Sequence, residues 1–354
     1  MTALTFSVIK ILGISAIASV VAMVWCPFLI DFLYKHQLWK KEARKTAISG
    51  EEATVFYNLH KDRETKAPRM GGLLIWVTTV LVVFIFYFLS LVFNNSIFSS
   101  LNFLSRSQTW LPLFALVVAS IVGLIDDALV VSNLKSKYVG GGLSFKKRLA
   151  IVTLIGLACG IWFYQKLGWD AINIPLLGDF SIGIWYIPLF IIVMIACWSG
   201  GIVDGLDGLS GGTFASIFGA FTIIAFSQGK IDLAIFCSVI LGTLFTFLWF
   251  NIPPARFYMG ETGILGLTTT LAVVAFLTNS VFVLPVIAGI LVIETGSVII
   301  QLLSKKFRNK KIFLSTPIHH HFEALGWPAY KVTMRFWIIG IILAITGVAL
   351  RLLG

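Results

Sequence analysis

The chain is 354 residues long, with 58% hydrophobic and only 12% charged residues, and its mean hydropathy is +0.94. A soluble domain is about half apolar and a quarter charged, so this composition excludes a water-soluble globule. A formal charge of +11 does not by itself indicate nucleic acid, because Lys and Arg gather on one side of a membrane protein and orient it; bilayer lipids are the expected neighbours and nucleic acid is not an expected partner.

Near-uncharged runs of about 20 residues, the length that crosses roughly 30 Å of hydrocarbon at 1.5 Å per residue, recur along the chain. They predict ten transmembrane helices at 8–33, 70–93, 110–125, 148–165, 184–203, 211–228, 232–250, 262–279, 281–303 and 333–352. The first run lacks a small-residue cleavage pattern and is followed by further spans, so it reads as a retained helix. The third is short if it ends at Ile125, and Pro253-Pro254 cannot continue a helical ladder. Ten spans return both termini to one side. The segments after the odd-numbered spans hold 22 of the 27 Lys and Arg residues, which makes those segments cytoplasmic and the termini periplasmic. The expected fold is therefore an all-α polytopic inner-membrane protein. It forms one integral-membrane domain over 1–354, with 35–69 and 304–331 as its main cytoplasmic loops. The four cysteines lie inside apolar runs without metal-ligand spacing and read as buried thiols.

In chain order, the polar clusters all fall after odd-numbered spans. They are Asp126-Asp127, Asp204-Gly-Leu-Asp207-Gly208, Asn251 through Glu261, and His319-His320-His321 followed by Phe322-Glu323. Ionisable groups beside a span are costly unless they face water or partners, so clusters arriving from several helices predict one hydrated cleft at the cytoplasmic face. Adjacent helical residues point about 100° apart, so Asp126 and Asp127 need not share one role. They sit at a helix C-terminus, where the dipole disfavours negative charge, and this calls for a compensating cation; solvation beside the headgroups is the alternative. Asp204 and Asp207, with Gly205 and Gly208, read either as a nucleotide or metal cradle or as a Gly-rich turn. Glu261 begins a span, where the dipole favours a carboxylate that could also bind Mg²⁺. Glu294 lies within an apolar span and needs a buried partner. Three consecutive imidazoles converge poorly on one metal ion, so phosphate or sugar binding, or a structural loop, is the better expectation.

No Walker sequence is present, and Gly140-Gly141-Gly142 lacks the context of a dinucleotide site. The basic stretches 35–45 and 305–311 suit anionic headgroups. Channels and secondary transporters fit the span count, but carboxylates at one membrane face argue against a substrate held at mid-depth.

The ordered motifs Ala67-Pro-Arg-Met-Gly-Gly72, Gly123-Leu-Ile-Asp-Asp127, Asp204-Gly-Leu-Asp-Gly-Leu209, Asn251-Ile-Pro-Pro-Ala255 with Phe257-Tyr-Met-Gly-Glu261, Glu294-Thr-Gly-Ser297 and Pro317-Ile-His-His-His-Phe-Glu323 resemble those of the phospho-N-acetylmuramoyl-pentapeptide transferases. These belong to the polyprenyl-phosphate N-acetylhexosamine-1-phosphate transferase superfamily. The triple-His segment resembles this branch and not the relatives that handle N-acetylglucosamine phosphate. The resemblance implies transfer of phospho-MurNAc-pentapeptide from UDP-MurNAc-pentapeptide to undecaprenyl phosphate, giving lipid I and UMP with Mg²⁺ as cofactor, and it suggests a homodimer. It implies catalytic roles for Asp126, Asp127, His319, His320 and His321, and places Glu261 where the family has a Mg²⁺-binding Asp. Asp204, Gly205, Leu206 and Asp207 then line the uridine side, Tyr258 stacks on uracil, and Asn251 is a polar substrate-binding position.

This chain departs from the pattern at Val130 and Gly141, where Lys is usual, at Gly201 in place of Asn, at Glu261 in place of Asp, and at Arg69 in place of Thr. Lys135, Lys137, Lys146 and Lys147 are candidates to restore the lost charge. Two alternatives stand beside the leading expectation: a related transferase using another UDP-sugar, and a homologue that binds polyprenyl phosphate or serves as a scaffold without turnover.

Overall fold

The computed structural model describes residues 2–40, 67–93, 95–132 and 142–354. Among them, nine helices are long and apolar enough to cross a membrane, and the protein is an all-α polytopic membrane protein. The long elements are α1 (Ala3–Lys35), α2 (Leu73–Val92), α4 (Trp110–Val131), α5 (Phe145–Ile161), α6 (Tyr186–Ser199), α7 (Leu209–Ser227), α8 (Ile231–Asn251), α9 (Gly260–Leu277), α11 (Gly289–Arg308) and α13 (Ala329–Leu352). Short helices α3 (Ser96–Leu101), α10 (Leu284–Ile287) and α12 (Ile318–Ala324) join them. A two-stranded antiparallel hairpin, β1 (Ala171–Ile174) with β2 (Gly178–Ser181), pairs Ala171 with Ser181.

Helix α9 lies at the centre, with every residue from Thr262 to Leu277 buried. It packs along α4 through small residues that let the backbones close: a Cβ built on Gly123 would fall 2.1 Å from the Glu261 carbonyl, and one on Gly266 would fall 2.0 Å from Ser120 Oγ. Without a hydrophobic drive between helices in lipid, such close packing and polar contacts carry the association. Thr262 Oγ1 donates to Ser120 O at 3.0 Å across this seam. Helices α1 and α8 are joined similarly, by Ser15 Oγ to Ser238 O at 2.7 Å and Ser19 Oγ to Gly242 O at 2.6 Å. The α4–α9 seam brings the C-terminal turns of one helix against the N-terminus of the other, at one end of the bundle.

Two predicted spans take a different form. The third does not stop at Ile125 but runs to Val131, so Asp126 and Asp127 are part of the helix; burial of both side chains against partners lets it continue. The ninth is broken at Ala288 into α10 and α11. Helix α11 has a buried face that carries Glu294, Ser297, Gln301 and Ser304 while Ile299, Ile300, Leu303 and Phe307 are exposed. This reversed amphipathicity turns the polar stripe inward, where it holds the following segment: Gln301 Oε1 accepts from Ile312 N at 2.9 Å and Phe313 N at 3.0 Å, and Ser304 Oγ donates to Lys310 O at 2.9 Å. The four cysteines are buried free thiols. Most of the loop predicted at 35–69, together with Gly141, Lys135 and Lys137, lies outside the described residues.

Candidate active site

At the end of the bundle where α4 meets α9, four carboxylates and two guanidiniums come together. Asp126 and Asp127 occupy successive positions of α4 and are 2% and 0% exposed, yet they face different partners, as their roughly 100° separation requires. Asp126 Oδ1 accepts the Leu143 backbone N–H, and its Oδ2 lies 3.0 Å from Arg148 Nη2. Asp127 Oδ1 pairs with Arg69 Nε at 3.1 Å, and its Oδ2 accepts the Thr262 N–H at 2.9 Å. Arg148 also reaches Glu261, Nη1 to Oε1, at 2.6 Å. The cation that a pair of carboxylates at a helix C-terminus calls for is therefore supplied twice, by Arg148 and by Arg69.

The backbone is shaped to allow this. Gly260 has φ +70°, and a Cβ there would lie 2.5 Å from Asp127 Oδ2, so only glycine serves the turn and the approach together. Arg69 is held by its own N–H to Leu38 O at 2.8 Å, and the following turn is clamped by Tyr258, whose N–H donates to Pro68 O and whose carbonyl accepts from Gly71 N, both at 2.8 Å. Burial works against the charge on Arg69, but Asp127, Glu261 and Asp204 overcome it and hold its pKa above the ordinary arginine value. Arg148 faces inward because α5 begins at Phe145 behind an N-cap Ser144, and residue 148 extends the buried stripe Val152, Ile155 and Cys159 by one turn.

The Asp204–Gly208 segment closes a second side. Asp204 Oδ1 accepts from Ser210 Oγ at 2.7 Å and Oδ2 from Gly260 N at 3.1 Å, which links this loop to the α9 turn. Burial raises the Asp204 pKa above the ordinary carboxylate value, against the pull of the Ser210 hydroxyl and Arg69. Asp207 is turned away: its Oδ2 accepts from Ala255 N at 3.2 Å and its carbonyl from Thr333 Oγ1 at 3.1 Å. Asn251 is likewise occupied, with Oδ1 accepting from Gly208 N at 2.9 Å and Nδ2 donating to Phe257 O at 2.8 Å. Leu206 is buried. Asp207 and Asn251 thus tie the loops of the site together through these contacts.

The three histidines diverge. His319 and Glu294 are both fully buried, with Nδ1 and Oε2 2.9 Å apart, which provides the partner that Glu294 needs. His319 Nε2 has no hydrogen-bond partner and sits over Gly205, where a Cβ would come within 2.2 Å. His320 Nδ1 pairs with Glu323 Oε2 at 2.7 Å. His321 Nδ1 accepts from Leu314 N at 3.1 Å and its ring meets Phe313 edge-on. Through Gly205, the first histidine borders the Asp204 loop and hence the carboxylates.

Glu261 and Asp126 offer hard oxygen donors of the kind Mg²⁺ prefers, although Asp126 Oδ2 and Glu261 Oε1 each face an Arg148 nitrogen. These donors fit a divalent ion. Arg148 spans the gap between them, and among the described residues no three His, Cys, Asp or Glu side chains converge on one point, so an ion there would displace the guanidinium. Lys146 and Lys147, considered as replacements for lost charge, are exposed, whereas Arg148 reaches inward. Gly201 has no room for the Asn that is usual in the pattern: a Cβ would fall 2.4 Å from Ile264 Cγ2.

Residues 109–279 match the model of glycosyl transferase family 4. Over 340 residues, 96% of this chain and 97% of the relative, the sequence is 32% identical to a phospho-N-acetylmuramoyl-pentapeptide-transferase of Anoxybacillus flavithermus. It is 34% identical to one of Geobacillus sp. over 81% of this chain and 84% of the relative. It is 35% identical to one of Lactiplantibacillus plantarum over 81% and 85%.

Proposed function

The chain belongs to the phospho-N-acetylmuramoyl-pentapeptide-transferase family, and from that footing we propose that it transfers phospho-MurNAc-pentapeptide from UDP-MurNAc-pentapeptide to undecaprenyl phosphate. The reaction forms lipid I and releases UMP. The observation that carries this reading is the group of Asp126, Asp127, Asp204 and Glu261 held around Arg69 and Arg148 at one end of a bundle whose outer surface is apolar. A lipid phosphate sits at the headgroup plane with its tail along that surface, while the soluble donor arrives from the cytoplasm, where the excess of Lys and Arg puts this end.

In the chemical step, an oxygen of the acceptor phosphate bonds to the sugar-bearing phosphorus, and the bridging oxygen leaves with UMP. Donor and acceptor both bring negative charge, so the cations at the site must shift from carboxylates to phosphate oxygens as substrates enter. Arg69 and Arg148, each 23% exposed in its side chain, are placed to do so, and bidentate guanidinium pairing suits phosphate. Asp127 anchors Arg69 and the α9 N-terminus; a phosphate nucleophile needs no strong base. Asp204 and Gly205, with His319 behind them, form the wall of the donor pocket, next to Tyr258. Glu261 and Asp126 would hold Mg²⁺, which supplies charge neutralisation on the diphosphate and on departing UMP.

A second reading is favoured by one observation: each acid of the α4–α9 seam is already paired with an arginine, Asp127 with Arg69 and both Asp126 and Glu261 with Arg148. A homologue that binds polyprenyl phosphate without turnover would look the same. The deciding experiment follows UMP release from the purified protein with both substrates, with and without Mg²⁺, beside a Glu261→Asp control and a panel of other UDP-sugars. Mg²⁺-dependent UMP release with the MurNAc-pentapeptide donor is expected. Folded protein that retains undecaprenyl phosphate yet releases no UMP from any donor would assign the second reading.

A further inference from the structure

At the opposite end of the bundle, the turn before β1, the α7–α8 and α9–α10 connections and the end of α13 border an open cavity of about 580 Å³ lined in part by Trp169, Asp170, Gln228, Lys230 and Arg351. None of these residues belongs to the carboxylate site. Two cations share this space. Lys230 Nζ donates to Leu277 O at 2.6 Å and stands 5.6 Å from the centroid of the Trp169 ring. Burial, and then the neighbouring Arg351, push the Lys230 ammonium down to about 8.

Two further atoms are without partners. Arg351 Nε is buried with no hydrogen bond, and so is Gln228 Oε1, although the amide's Nε2 donates to Thr278 O at 2.7 Å. Buried polar atoms are nearly always satisfied, so an unpaired donor and an unpaired acceptor in two side chains that line one cavity call for a ligand that can serve both. The nearby carboxylates are engaged: Asp170 accepts from Ser181 Oγ at 2.8 Å, and Asp179, which attracts Arg351, accepts from Asn173 Nδ2 at 2.9 Å. A ligand suited to these side chains carries an acceptor for the guanidinium and a donor for the amide oxygen. The adjoining hairpin exposes Leu176 and Leu177 at its tip, and Trp185 follows, 71% exposed. Exposed leucines beside a Trp mark the depth of lipid headgroups.

We propose that this cavity binds the headgroup of a glycerophospholipid, with its phosphodiester oxygens on Arg351 and Lys230 and its terminal ammonium or hydroxyl donating to Gln228 Oε1. The site is independent of the transferase reading. A free phosphate ester would satisfy the cations equally, but the apolar hairpin tip has no use for a soluble ligand, and the lipid is the source that explains both.

The test is native mass spectrometry of the full chain in detergent, titrated with phosphatidylethanolamine, phosphatidylglycerol and phosphatidylcholine, which lacks the terminal donor. The wild type should retain phosphatidylethanolamine about tenfold and phosphatidylglycerol about threefold better than phosphatidylcholine, the scale of one charge-assisted and one neutral hydrogen bond respectively. Arg351→Gln should lose about tenfold in retention of all three, and Gln228→Leu should erase the preference over phosphatidylcholine. Equal retention of the three lipids by the wild type overturns the proposal without any variant, as does undiminished retention by folded Arg351→Gln. Thermal stabilisation by glycerophosphoglycerol or inorganic phosphate equal to that by phosphatidylglycerol overturns the lipid assignment in favour of a soluble ester.

Discussion

Arg148 bridges Asp126 and Glu261 with one terminal nitrogen on each, Nη2 3.0 Å from Asp126 Oδ2 and Nη1 2.6 Å from Glu261 Oε1. A divalent ion shared by these carboxylates would compete for the oxygens that the guanidinium now holds. Arg148→Gln removes the competitor and should tighten Mg²⁺ binding about tenfold, since a charge-assisted hydrogen bond contributes roughly 1.5–3 kcal/mol. Isothermal titration with Mg²⁺ or Mn²⁺ reads this directly. An affinity that stays the same or weakens would show that the two cations do not contest one place.

The Arg69–Asp127 pair is the second link between the loops and the helix seam. Removing either partner leaves a buried or half-buried charge behind, so each single change, Arg69→Gln or Asp127→Asn, should destabilise the protein and depress UMP release. The double variant should cost less than the two singles combined. A coupling of about 1–3 kcal/mol is expected from thermal unfolding of the four proteins, the range for contacting charged groups. Additive losses would mean that the 3.1 Å contact contributes nothing of its own.

Much of this arrangement is legible in the sequence. The recurrence of spans, the position of the polar clusters at one end, the differing partners of adjacent Asp126 and Asp127, and the need of Glu294 for a partner all follow from helix geometry and the cost of charge near lipid. Arg148 is not conspicuous beside the lysines near Val130 and Gly141; its signal is the buried stripe of α5, which extends back to position 148. Polar side chains among glycines suit ligands and backbone alike, so the sequence does not show the backbone partners that the fold gives Asn251 and Asp207. The break at Ala288 was masked by hydropathy, which averages over the inward polar face of α11.

His319 tests how the triple-His helix acts on the rest of the site. Its Nδ1 is fixed by Glu294, and its Nε2 lies over Gly205 with no room for a methyl group. Gly205→Ala should push the imidazole off the Asp204 loop and lower UMP release by at least about tenfold, because displacements of roughly 1 Å are costly to catalysis. A rise in donor KM with an unchanged value for the lipid acceptor would locate the effect on the donor side. Glu294→Gln keeps a hydrogen-bonding group on Nδ1 and should be milder than Glu294→Ala in melting temperature. Full activity in Gly205→Ala would remove His319 from the donor pocket.

Asn251 provides the sharpest separation of structure from chemistry. Its amide oxygen and nitrogen serve the Gly208 N–H and the Phe257 carbonyl, two buried contacts that tie the Asp204–Gly208 loop to the segment leading into Glu261. Asn251→Ala strands both backbone groups, and at about 1–3 kcal/mol for each unsatisfied group the loss should be visible as a lowered melting temperature. Asn251→Asp keeps the acceptor for Gly208 but sets a carboxylate oxygen against the Phe257 carbonyl, so it should also destabilise despite being nearly isosteric. If Asn251 instead acted by touching substrate, both variants would melt like the wild type and differ from it only in donor KM. Melting curves recorded without substrates, beside donor titrations of the same preparations, distinguish the two roles.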